Sequence, residues 1–164
     1  SIQYEFSNVI QTLSLIYEMN YEIEELFIGI WPEFEGERTC QTNLDIQIKV
    51  FSDYIRNKYP NYRDKTFFVK EHPKWKLDFT LSPDVKFVRL ADVYCQAPLE
   101  LVINRFPNLH SIYGFPSTCF YLMGGILAEN VDVSIFVKEG DVKYFPERAA
   151  LIESKNPKIN KIYV

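Results

Sequence analysis

The chain predicts an α/β fold, a Rossmann-like doubly wound parallel sheet, on three observations. Short apolar runs alternate with longer stretches of helical periodicity from about residue 25 onward. Proline or glycine closes many of these segments, as at Pro32, Pro60, Pro73 and Gly124. The polar residues with useful chemistry stand at the ends of the apolar runs. That is where an open parallel sheet places its ligand-binding groups.

Residues 2–19 read as a helix, because Ile2, Phe6, Val9, Ile10, Leu13 and Ile16 recur at helical spacing without Gly or Pro. Residues 1–20 are therefore assigned as an N-terminal helix and connector, and residues 21–164 as the Rossmann-like domain. Glu25 to Trp31 is short, apolar and closed by Pro32, which predicts a buried strand. A polar loop follows, and a second helix is expected from about Thr42 to Lys58, burying Leu44, Ile48, Phe51 and Ile55. Residues 65–70 form the second strand and finish at Glu71-His72-Pro73, where the residue before proline is steered away from helix.

Residues 85–89 make a third, short strand. Ala97-Pro98 opens a helix through about Arg105, with proline at the tolerated first turn and Glu100 in that same turn. Ser111 to Gly114 is the fourth strand. Pro116-Ser117-Thr118 begins another helix to about Leu122, closed by Gly124-Gly125. Val131 to Val137 is the fifth strand, and a terminal helix spans about Pro146 to Ser154. The tail Asn156 to Val164 is either extended or crosses back to a partner domain. This strand–helix alternation gives a sheet covered on both faces.

A length of 164 residues fits one domain with a sizeable core. Aromatics are abundant, with 13 Phe and 11 Tyr, which excludes disorder. Net charge is −4 with acids and bases mixed, against a protein that coats nucleic acid. Cys40, Cys95 and Cys119 are widely spaced, with no CxxC pair, so neither a zinc site nor a disulfide framework is indicated. A reducing, cytoplasmic setting is the simplest reading. No apolar run reaches the roughly 18 residues of a spanning helix, and no signal peptide is visible. The start at Ser1 fits an excised fragment or a processed product.

His72 sits at a strand's C-terminal end, held by Pro73, where an imidazole can hydrogen-bond a phosphate or supply a proton when charged. A surface loop histidine is the alternative. Glu100 lies in a first helical turn, where a carboxylate suits the helix dipole and can also accept both hydroxyls of a ribose. Ser117 and Thr118 follow the fourth strand at a predicted helix N-terminus, as simple caps, as anion ligands, or as both.

Trp31 and Trp75 read as packing residues more readily than as ligand contacts. Lys70 and Lys74 flank His72 and either neutralise phosphate or are solvated surface lysines. His110 has no partner in the pattern and is taken as structural, and Cys119 as a buried small residue. Rival motifs are missing: no G-x-S-x-G elbow, no Walker A loop, no G-x-G-x-x-G and no Asp-x-Asp.

The ordered triplet His72-Pro73, Pro98-Leu99-Glu100 and Ser117-Thr118 resembles the nucleotide-binding half of bacterial sialyltransferases, over roughly residues 24 to 140. The resemblance implies a GT-B C-terminal domain and a CMP-sialic acid donor. It implies that His72 aids departure of the CMP phosphate, that Glu100 holds the ribose, and that Ser117 and Thr118 bind phosphate beside Pro73. It further implies inverting transfer to a glycan acceptor with no cofactor and no metal, in lipooligosaccharide or capsule synthesis. The base would be a carboxylate of an N-terminal domain for which this chain has no room. Expected partners are the donor, the acceptor, and that second domain or another copy. Nucleic acid is not expected, and peripheral association with the inner face of a membrane fits such a role. Thr118 departs from the usual second serine, and Pro116 from a smaller residue.

Two alternatives stay open. One is a transferase for a CDP- or UDP-linked group in wall or capsule polymers, which shares a His-Pro and paired serines. The other is a non-catalytic α/β interaction domain whose aromatics form a partner surface.

Overall fold

A computed structural model describes residues 5–11, 20–29, 40–121, 123, 130–138 and 144–164. Among them, strands β1 (Glu25–Ile28), β2 (Thr66–Lys70), β3 (Lys86–Arg89), β4 (Ser111–Gly114), β5 (Asp132–Val137) and β6 (Asn160–Tyr163) form one sheet. Its order is β3-β2-β1-β4-β5-β6, and every neighbouring pair is parallel. Helices α1 (Cys40–Lys58), α2 (Asp92–Gln96), α3 (Leu99–Val102) and α4 (Tyr144–Lys155) flank it. The fold is thus the expected Rossmann-like doubly wound α/β architecture.

Strand periodicity sorts the core into two layers. Leu26, Ile28, Phe68, Ile112, Val133, Ile135 and Val137 face one side, against Cys95 of α2, Leu99 and Val102 of α3, and Ala149 and Ile152 of α4. Phe27, Phe67, Val69, Tyr113 and Phe136 face the other, against Leu44, Ile48, Phe51 and Ile55 of α1. On that second side the Phe51 ring stacks on Phe27 at 4.4 Å and meets Phe67 edge-on at 5.8 Å. Such pairs add about 0.5–1.5 kcal/mol each beyond the area they bury. Much of the chain's aromatic content therefore serves its interior.

Of the two forms expected for the tail, the extended one is found: Asn160–Tyr163 adds a sixth strand, paired to β5 from Ser134↔Asn160 to Val137↔Tyr163. Other elements depart from expectation. The helix expected to open at Ala97-Pro98 starts just after them, at Leu99, and reaches Arg105 only as a 3-10 turn. α2 precedes it, Ala97 and Pro98 are extended, and α3 gives way to a 3-10 turn over Ile103–Arg105. The cause is Pro98, which bars Ala97 from helical geometry. Pro98 becomes the N-cap of α3, while Glu100 keeps its place in the first turn.

The helix expected from Pro116 begins later and as a 3-10 turn, Thr118–Tyr121, and Met123 just beyond it is helical. Residues 5–11 are helical, with Phe6, Val9 and Ile10 exposed. Gly124-Gly125 lies outside the described residues, as do Trp31-Pro32 and the acidic loop after them. Among the described residues no helix is long and apolar enough to cross a membrane.

Candidate functional site

The chain runs from β1 outward to β2 and β3, then returns to place β4 on the other side of β1. Sequential connections therefore diverge between β1 and β4, the switch point where open α/β sheets leave a crevice. Register brings three strand ends level, since Ile28 pairs with both Lys70 and Gly114. Above them is a hollow of about 440 Å³, lined from β1 by Gly29, from β2 by Lys70, His72 and Pro73, from α3 by Glu100, and after β4 by Ser117. That volume lies within the range of small-molecule sites.

Four of the residues singled out from sequence thus share one hollow: His72, Pro73, Glu100 and Ser117. The fifth, Thr118, opens the adjoining 3-10 turn, and its side chain lies outside what is described. Ser117 stands just ahead of this turn, and its backbone oxygen accepts the Phe120 N–H at 3.1 Å.

The His72 loop is held from below. Glu71 is buried, and its carboxylate accepts Arg89 Nε at 2.8 Å and the Leu77 backbone N–H at 2.6 Å. The Arg89 guanidinium also donates to Leu77 O at 2.5 Å and lies over the Phe79 ring at 4.0 Å. Within this clamp, Trp75 N–H donates to His72 O at 3.1 Å, and Trp75 packs against the α1 side of the core. Its role is packing, as expected.

His72 Nδ1 accepts the Lys74 backbone N–H at 3.2 Å. An acceptor Nδ1 leaves the proton of a neutral ring on Nε2. Burial, then the ammonium groups of Lys74 and Lys70, hold the imidazole below its ordinary range. The ring is thus a neutral Nε2–H donor near pH 7, not a charged acid.

Lys70 differs from a surface lysine. It is only 8% exposed, and its Nζ donates to Cys95 O at 3.2 Å. Burial lowers its proton affinity, partly offset by Cys95, Cys119 and the Glu100 carboxylate. Lys74, by contrast, is exposed. Strand parity carried this signal, since Lys70 shares a face with buried Phe68.

Cys119 lines the hollow as well as packing on the core, and burial pushes its thiol up to about 11. It is an unreactive wall group near neutrality. Gly114 permits the close approach of the wall, because a Cβ there would meet the Phe120 ring at 2.8 Å. Asn156, just past α4, donates to Phe120 O at 2.8 Å and Tyr121 O at 2.6 Å, tying down the 3-10 turn. His110 stands at the other end of β4, with Nδ1 2.9 Å from Ser111 Oγ, and takes no part.

A second hollow of about 440 Å³ lies between α1 and the β6 edge, lined by Ile46, Val50, Tyr54, Ile162 and Tyr163 among others. It is away from the strand-end crevice and gathers none of the residues singled out for chemistry. Among the described residues no group of three or more His, Cys, Asp or Glu is placed to hold a metal ion. No protein-family model, no curated protein and no solved structure matches the chain significantly.

Proposed function

We propose that the chain is the donor-binding domain of a glycosyltransferase that uses CMP-sialic acid or a related CMP-linked nonulosonate. One observation carries this reading. An imidazole, a carboxylate and a hydroxyl from segments that follow three different strands line one hollow at the switch point. The order of their motifs resembles bacterial sialyltransferases.

In this reading Glu100 accepts the two ribose hydroxyls, and Nε2–H of His72 and Oγ–H of Ser117 donate to the phosphate. An acceptor oxygen attacks the anomeric carbon as the bond from that carbon to the phosphate oxygen breaks. CMP leaves with the electron pair, and the configuration inverts. Donors fixed around the leaving phosphate stabilise charge as it develops, the contribution expected of preorganised hydrogen bonds. The acceptor proton passes to a carboxylate of another domain.

Calorimetry with CMP at low salt tests the reading. The expected result is a Kd below about 1 mM, weakened about tenfold or more in His72→Ala and in Glu100→Ala. Binding undiminished in both variants would remove the site. Competition with CDP and UDP separates this donor from the wall-polymer alternative, and tighter binding of either diphosphate would favour the latter.

A further inference from the structure

The floor of the hollow holds a group for which the ribose and leaving-group roles leave no assignment. Lys70 ends β2 on the side of the sheet that carries α2 and α3, so its stem runs inward beneath the crevice. An ammonium has three donors. One is placed on Cys95 O. Among the described residues no carboxylate lies within ion-pair distance of Nζ, and Glu100 acts on it only through space. Burying an ammonium with so little compensation is costly, and a packing role would be filled better by methionine or leucine. A charge kept at the floor of an open hollow is explained by an anion that arrives there.

We propose that Lys70 is the anion-recognition residue of this hollow, and that its ammonium receives the phosphate of a nucleoside monophosphate. The opposite charges of Lys70 and Glu100 then match the polarity of the ligand, phosphate toward the ammonium and sugar diol toward the carboxylate. This gives Lys70 a task separate from that of His72. The ammonium discriminates for charge, whereas the neutral imidazole contributes a directed hydrogen bond. The assignment rests on the nucleotide reading for its ligand but not for its charge preference.

The test compares CMP, cytidine and inorganic phosphate on the whole chain, by calorimetry and melting temperature. Lys70→Met is expected to weaken CMP about ten- to a hundredfold, as for loss of a charge-assisted hydrogen bond. Cytidine binding should not change. The ligand-free variant should melt at the same or a higher temperature, because a buried charge has gone. Lys70→Arg should retain more CMP affinity than Lys70→Met.

A Lys70→Met variant that keeps the wild-type preference for CMP over cytidine would overturn the proposal. If wild type binds no CMP, yet phosphate raises its melting temperature and Lys70→Met abolishes that rise, the nucleotide reading fails and the anion site stands. No rise with phosphate and no binding of CMP would end both. Should Lys70→Met not fold, the Lys70 Nζ resonance of the wild-type chain decides. It must shift on titration with CMP but not with cytidine, and equal response to both overturns the proposal.

Discussion

The tautomer of His72 follows from one backbone contact, and its charge from its neighbours. With Nδ1 engaged by Lys74 N–H, the neutral ring can donate only through Nε2. Its proton affinity is lowered first by burial, then by Lys74 and Lys70. A base held below its unfolded value of 6.5 binds fewer protons when folded. Stability therefore rises with pH across the interval between the two values and is fully present above the higher one. Urea unfolding of the wild type between about pH 5 and 8 should show this loss below 6.5. His72→Gln should flatten that part of the profile, and an unchanged slope would show that another group causes it. The position of His72 was legible in the sequence, because Pro73 and the apolar run before it mark a strand end. Its charge state was not, since that depends first on how far the fold buries the ring. For Lys70 itself, adjacency to solvent-suited Glu71, and the second lysine, Lys74, on the other side of His72, concealed what strand parity implied.

Among the elements, the 3-10 turn Thr118–Tyr121 makes one wall of the hollow and depends on a residue 35 positions away. Asn156 is buried and donates from Nδ2 to both Phe120 O and Tyr121 O, while its backbone N–H closes α4 on Ile152 O at 2.8 Å. Leucine fills similar space but offers no donor, leaving two carbonyl oxygens without this partner. Asn156→Leu should lose about 1–3 kcal/mol of stability, read as a lower urea midpoint at unchanged slope. It should also weaken CMP by loosening Ser117. An unchanged midpoint would show that water satisfies the carbonyls. This tie was invisible in the sequence, where Asn156 marks only the end of a helical pattern. β6 was obscure for a related reason. Asn160-Lys161-Ile162-Tyr163 is a short edge strand with intermediate or exposed positions, so it lacks the apolar run that announced β1, β2 and β5. α1, by contrast, was legible nearly to its ends, because a 19-residue helix repeats its apolar face several times.

For the whole molecule, the proposed reading gives the hollow groups that bind and groups that help a phosphate leave, but among the described residues it leaves no carboxylate free to act as the base. The carboxylates that line it among the described residues are Glu71 and Glu100. Glu71 is buried and occupied by Arg89 and the Leu77 N–H, so taking a proton there would disrupt the clamp beneath His72. Glu100 faces the ribose in the proposed pose, away from an incoming acceptor. The chain alone is therefore expected to bind CMP without transferring sugar. Binding should appear as a rise in melting temperature with nucleotide, equivalent to about 2.7 kcal/mol at a hundredfold excess over Kd. Incubation with CMP-sialic acid and a galactoside should yield no sialylated product. Product formed by this chain alone would place the base on it. Loss of that product in Glu100→Gln, with CMP affinity retained, would identify Glu100 as the base and take the ribose role from it.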